Sequence, residues 1–210
     1  MAKDIHQTRK QILAAALKRF ADNGYAATSV QQIVDDAQVS KPALYYHFKD
    51  KAGLFQALVH EAHDERYRVL QEAAAAGGSF REQAERLLSA LFDLFLANRA
   101  LMRIAFATAF AAPGEVPADL DCISKCERNF EFVHALIKAA QQKGELDARF
   151  DSQELAFGFY GLANFYLVTH LVAPDCQPDH LTAKKIVELF LAGAGGKTSR
   201  KSHSNSPGKT

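Results

Sequence analysis

An all-α protein, with a small three-helix domain at the amino terminus and a larger helical body, is what this sequence predicts. Three observations carry the prediction. Apolar residues recur at helical spacing along most of the chain. The breaks between these runs fall at Gly, Pro and Asn. No Val/Ile/Thr-rich alternating segment bounded by turn residues is present, so the signature of a sheet is missing. The 210 residues suit one large domain or two small ones, and 48% hydrophobic with 23% charged residues is the balance of an ordinary globular chain.

The elements follow in order. Ile12, Leu13, Ala16, Leu17 and Phe20 share one helical face, with Arg9, Lys10, Lys18 and Arg19 around the rest, and Asn23-Gly24 is the expected stop. Ser29-x-x-Gln32 is a capping box, and Val30, Ile33, Val34 and Ala37 give a short second helix its apolar side. After the turn Gln38-Val39, Ser40 is a good N-cap, and Pro42 falls in a first turn where its missing N–H costs little. Leu44 and Phe48, at i and i+4, are the buried pair of this third helix. Asp50 caps a fourth, longer helix with Leu54, Phe55, Leu58 and Val59 inward, running to the alanines before Gly77-Gly78. Further helices are predicted over 80–97, 100–111, 118–143, 151–173 and 179–193, separated by Pro113-Gly114…Pro117, Lys143-Gly144 and Pro174…Pro178. The expected domains are 1–51, then 52–194 with 52–76 as the connecting helix, then a disordered basic tail over 195–210.

Charge is unevenly spread. Residues 1–51 hold eight Lys/Arg against five Asp/Glu, residues 52–196 hold thirteen against nineteen, and the tail has four bases and no acid. A basic head on an acidic body points to a polyanion as the partner of the head. No stretch reaches the ~20 uninterrupted apolar residues of a membrane span, and the nearest candidate, 158–173, carries Asn164 and His170. The polar start MAKDIHQTRKQ lacks the apolar core of a secretory signal, and three cysteines are no disulfide framework. A cytoplasmic chain without a membrane partner is therefore expected.

Two short helices joined by a tight turn behind a basic terminus suit a helix-turn-helix, in which the second helix braces the third against a DNA major groove about 12 Å wide. Ser40, Lys41, Tyr45, Tyr46 and His47 would supply the outward hydroxyl, ammonium and imidazole groups. The same geometry also occurs in purely packing roles. The run from Thr8 to Leu58 resembles the DNA-binding domain of the tetracycline-repressor (TetR) family of bacterial regulators. The matching pieces are Phe20-Ala21-Asp22-Asn23-Gly24-Tyr25, Ala27-Thr28-Ser29-Val30-Gln31-Gln32-Ile33, and Val39 to Lys51 with its Leu-Tyr-x-x-Phe-x-x-Lys spacing. About a quarter of the chain is covered.

That resemblance implies a homodimer on double-stranded DNA with a palindromic operator, a small apolar or aromatic effector in the body, no cofactor and no catalysis. By the same resemblance, Thr28 and Ser29 touch phosphate through hydroxyl and backbone N–H groups, and Gln31 and Gln32 face the groove edge. Lys41, Pro42 and Ala43 lie nearest base edges; Tyr45, Tyr46 and His47 bind phosphate; Lys51 sits on phosphate at the start of helix four. Gln38 departs from the glycine common at this turn, and Pro42 and Ala43 stand where Gly and Thr are common, which shifts base readout toward methyl contacts and DNA shape.

For the effector, Phe92, Phe95, Phe106, Phe110 and Phe130 are candidate walls, with His134 and Asn164 as orienting polar groups; each is equally explained as ordinary core. Cys122 and Cys126, at i and i+4 with His134 two turns on, leave a redox or metal sensor open, although four ligands are not visible and no metal is assigned. A helical carrier or enzyme without DNA binding also stays open. The segments 151–173 and 179–193 are apolar on more than one face, and the resemblance makes them the dimer interface. Gly158 and Gly161 would permit close helix approach there.

Overall fold

The computed structural model describes residues 2–173 and 178–194. Among these residues the elements are α1 (Ala2–Ala27), α2 (Val30–Ala37), α3 (Lys41–His47), α4 (Lys51–Ala75), α5 (Phe80–Ala97), α6 (Arg99–Thr108), α7 (Ile123–Gln142), α8 (Ser152–Val172) and α9 (His180–Ala194). The only extended pairing among them is one bridge between Pro113 and Val116. The tail expected over 195–210, and the prolines' partner segment 174–177, lie outside the described residues.

Local chemistry sets most helix starts. Ser29 accepts from the N–H of Gln32 while the Gln32 carboxamide accepts from the N–H of Ser29, the reciprocal box read from the sequence. Ser40 accepts from Ala43, Asp50 from Gly53, Ser79 from Glu82, and Asp151 from Gln153 and Glu154. Each such cap contributes about 1 kcal/mol.

Three boundaries differ from expectation. Gly24 does leave the helical region (φ 79, ψ 167), but one further turn carries α1 to Ala27 across the kink. The helix expected over 100–111 ends at Thr108, and the one expected from 118 starts at Ile123. Between them Pro113, Gly114 and Pro117 spend the backbone on turns, such as Leu120 N–H to Pro117 carbonyl, rather than on helical bonds.

The head is α1, α2, α3 and the first turns of α4, closed on Ile12, Ala16, Phe20, Ile33, Leu44 and Phe48, all buried. Neither α2 nor α3 is long enough to be stable alone, so this core holds them. Arg19 grips Asp36 with two hydrogen bonds of 2.6 and 2.7 Å, joining α1 to α2. In the body α4 packs on α5 and α7, α7 on α8, and α9 on α5 and α8. Arg99 of α6 donates to the carbonyls of His170 and Leu171, satisfying the end of α8. Head and body meet where α1 and α4 pack on α6.

The turn between α2 and α3 places Gln38 in the left-handed region (φ 54, ψ 43), the one non-glycine residue with positive φ among the described residues. A Cβ there costs about 1 kcal/mol, and Gln38 is exposed, so no packing offsets it. Gln38→Gly should therefore raise stability by about 1 kcal/mol, read as a higher urea midpoint with unchanged slope; a lower midpoint contradicts the conformational argument.

Candidate nucleic-acid interface and body site

Helix α3 is amphipathic in the sense a reading helix requires. Leu44 and Phe48 are buried, while Tyr45 and Tyr46 are 50% and 72% exposed and Lys41 and Pro42 are exposed beside them. Ala43 and His47 are half-buried, and the His47 and Tyr46 rings meet edge-on at 5.1 Å. Among the described residues the two exposed phenols meet no ring beyond this contact, and their exposure leaves the hydroxyls to solvent or a partner.

The other expected contacts divide. Ser29 and Gln31 are exposed at the start of α2, where Gln31 donates to Asp35 (2.7 Å) and Gln32 is engaged in the capping box. Ser40 is exposed, its hydroxyl oxygen occupied by the cap. Thr28 departs from the expectation: it is buried, and its hydroxyl donates inward to the carbonyls of Gly24 (2.8 Å) and Arg19 (3.2 Å). Its backbone is engaged as well, the N–H donating to the Tyr25 carbonyl at 3.3 Å and the carbonyl accepting from Lys51. Lys51 is likewise engaged, donating at 2.9 Å to the carbonyls of Tyr25 and Thr28 with its ammonium 4.3 Å from the Tyr25 ring centre. Burial holds its pKa below the ordinary lysine value. In this structure Lys51 ties the start of α4 to the α1–α2 corner.

Of the set proposed for an effector, Phe130 and His134 stack with ring centres 6.1 Å apart, and the other rings are spread over the body. Phe92 and Phe95 are fully buried core residues of α5, Phe106 is half-buried on α6, and Phe110 stands 84% exposed beyond it. Phe130 stacks on Phe157 (4.5 Å), and His134 contacts Ser152 Oγ (2.9 Å) and Glu131 (3.3 Å). Periodicity identified these rings as inward-facing without saying toward which neighbour. A separate, largely apolar cleft of about 370 Å³ lies at the seam of head and body, walled by Tyr25, Phe55, Ile104, Thr108 and Val116.

Asn164 does reach a charged neighbour, one the sequence reading missed. Its Oδ1 accepts from the guanidinium of Arg66 at 2.7 Å, across the α4–α8 contact. Arg66 is buried, yet it occupies the apolar stripe of α4 in register with Ala62 and Leu70. A cation inside an apolar stripe was the available signal. Beside it, buried Asn129 of α7 donates to the His63 carbonyl. Cys126 Sγ lies 3.7 Å from His63 Nε2, so the imidazole facing that thiol comes from α4 and is not His134. Burial, then Cys122, raises the Cys126 thiol above its usual value, the opposite of an activated thiolate. Among the described residues no group of three His, Cys, Asp or Glu side chains is placed to hold a metal, and no helix is long and apolar enough to cross a membrane.

These features define a helix-turn-helix protein with a larger helical body. The family model of bacterial regulatory proteins of the tetR family matches residues 12–58. UidR, a transcriptional regulator of Escherichia coli, is 31% identical over 156 residues, 70% of this chain and 72% of UidR. The transcriptional activator FasR of Mycolicibacterium smegmatis is 30% identical over 114 residues, 54% of this chain and 52% of FasR. The chain spans about half, or less, of the first curated relatives it matches. Among solved structures, a TetR-family regulator from Marinobacter aquaeolei superposes with a TM-score of 0.73 at 21% identity, covering 94% of this chain and all of that one (100%). The regulator FadR from Bacillus subtilis, solved with stearoyl-CoA, gives 0.72 at 21% identity over 88% of this chain and 98% of that one. The chain belongs to the tetR family of bacterial regulatory proteins.

One consequence of the body geometry is a pH dependence. Burial first, then Arg66, His60, Lys125 and Arg128, lowers the His63 pKa from 6.5 to about 4. Between those values the unfolded chain binds a proton that the folded chain refuses, so stability is full above about 6.5 and falls as pH drops toward about 4. His63→Gln should flatten that part of the stability–pH curve, measured by urea unfolding at stepped pH; an unchanged slope contradicts the assignment.

Proposed function

We propose that the protein is a transcriptional repressor that binds a palindromic operator as a homodimer and is released by a small molecule. The observation that carries this reading is α3, which buries Leu44 and Phe48 and turns Tyr45, Tyr46 and Lys41 outward. Exposed phenols and an ammonium on a braced helix are groups that bind phosphates and base edges in the major groove. Ser29, Gln31, Gln32, Ser40, Pro42, Ala43 and His47 are proposed to complete the contact surface. Thr28 is proposed to reach phosphate only if its backbone N–H leaves the Tyr25 carbonyl, and Lys51 only by leaving its two carbonyls.

The partner surface on the body supports a two-fold dimer. Phe165, Leu181 and Leu189 are exposed on α8 and α9, and a Cβ at Gly158 or Gly161 would meet no atom of the other described residues within 4 Å, so the close approach they permit would be to a second copy. A two-fold pair places its reading helices one DNA turn apart, about 34–36 Å. The relative solved with stearoyl-CoA supports a small-molecule effector for this chain, and the seam cleft shows that apolar surface is available near the head. The mechanism is linkage: an effector that prefers a body shape with mis-spaced heads weakens DNA binding by the factor with which DNA weakens effector binding.

Tyr45→Ala should weaken binding to a fragment of the protein's own upstream region about tenfold or more while the variant stays a folded dimer by circular dichroism and light scattering. Unaltered affinity removes Tyr45 from the interface. Wild-type affinity for that fragment should also fall steeply with salt, by a factor of about 10³ or more between 50 and 200 mM; a flat response contradicts a phosphate-binding head. For the dimer, Phe165→Glu with Leu189→Glu should give monomers by light scattering and lose operator binding without unfolding. A double variant that remains dimeric places the interface elsewhere.

A further inference from the structure

The body contains a buried positive charge that no carboxylate among the described residues pairs with. Arg66 is only 8% exposed, and its guanidinium meets a neutral amide oxygen of Asn164 at 2.7 Å and the face of Tyr160 at 4.8 Å. Its Nε has no hydrogen-bond partner, and among the described residues no carboxylate is within ion-pairing distance of it. The two acids just before it on the helix are already held, Asp64 by Lys125 (2.6 Å) and Arg128 (2.9 Å) and Glu65 by Arg68. Asn129, fully buried beside this site, leaves its Oδ1 without a partner, and Arg128 leaves its Nε so. The surroundings are positive enough, and dry enough, that His63 one turn away stays neutral down to about pH 4. Burying a guanidinium is costly unless an anion and further hydrogen bonds repay it. Here the folded chain supplies neither in full.

We propose that the junction of α4, α7 and α8 binds a small organic carboxylate with an apolar body, its carboxylate accepting from the Arg66 guanidinium in place of Asn164. Tyr160, whose ring meets the guanidinium at 4.8 Å, and Phe130, edge-on to Tyr160 at 6.0 Å, are the aromatic surface beside the charge that suits the apolar part of such a molecule. The forked donor geometry of arginine matches a carboxylate, which a hydroxyl or amide cannot match with both oxygens. Arg66 lies on α4, the helix whose first turns belong to the reading head, so seating an anion there acts on the element that sets head position. This inference rests on the reading of the body as an effector domain and names the charge class of that effector.

The test compares matched acids and alcohols on the full-length protein by isothermal titration: decanoate against decanol, and naphthoate against naphthylmethanol. Wild type should bind at least one acid about tenfold or more tightly than its alcohol, and Arg66→Met should bind acid and alcohol alike. The ligand-free Arg66→Met protein should melt no lower than wild type, since it loses an uncompensated buried charge; a merely structural arginine would lower the melting temperature and leave the acid preference intact. If Arg66→Met does not fold, Asn164→Ala is read instead. With the competing acceptor removed, it should bind the preferred acid about threefold or more tightly than wild type. Equal binding of acid and alcohol by wild type, no acid bound at millimolar concentration, a preference kept in Arg66→Met, or a weaker acid in Asn164→Ala each overturns the proposal. A gel shift without ligand reads the regulator function separately: absent DNA binding with a surviving acid preference sinks that reading and leaves this site standing.

Discussion

One helix belongs to two cores, and the rest of the structure depends on it. Residues Leu54, Phe55 and Leu58 of α4 close the head, whereas Ala62, Val69 and Leu70 of the same helix close the body. At 25 residues it is about 37 Å long, with no proline to break it. Its start is fixed by Asp50 as cap and by Lys51 bridging to the α1–α2 corner. Close-packed interiors transmit displacement instead of absorbing it. A shift of α4 relative to α5 and α7 is therefore felt at α1, and through α1 and α2 at the short α3 that rests on them.

The second constraint is electrostatic. The body is acidic overall, yet the α4–α7–α8 junction gathers Arg66, Lys125 and Arg128 near His63, and only the latter two reach Asp64. Burial pushes Asp64 up, and hydrogen bonds from Lys125 and Arg128 outweigh it, holding the carboxyl below its usual value. Arg66 shares none of that compensation. Stacking on Tyr160 and one amide oxygen make the site tolerable in a folded chain without making it electrically balanced. A regulator gains from such an arrangement, because a ligand that repairs the imbalance acquires affinity where the protein acquires a change of shape.

Fold class and most element boundaries were legible because they rest on relations of three or four residues. The Ser29–Gln32 box, the Ser40 and Asp50 caps, and the inward pair Leu44 and Phe48 all occur as the spacing implied. Outward exposure of Tyr45 and Tyr46 follows from the same periodicity. The body site was not legible. Arg66 and Asn164 are separated by 98 positions, and His63 and Cys126 by 63. Nothing local in either segment specifies the other, and residues such as Phe92 and Phe130 present the same apolar signal whether they fill a core or line a ligand site.

The amino-acid order by itself determined which segments are helices, where most of them start, and which side of α3 faces away from the protein, since each follows from backbone caps and from side chains a turn apart. Tertiary structure alone decided that the Thr28 hydroxyl turns inward, that Lys51 is spent on two carbonyls, and that a charge on α4 is sealed beneath α8 with a neutral amide and a ring face as its partners. Those outcomes depend on how whole helices pack, and packing joins residues that no local spacing relates.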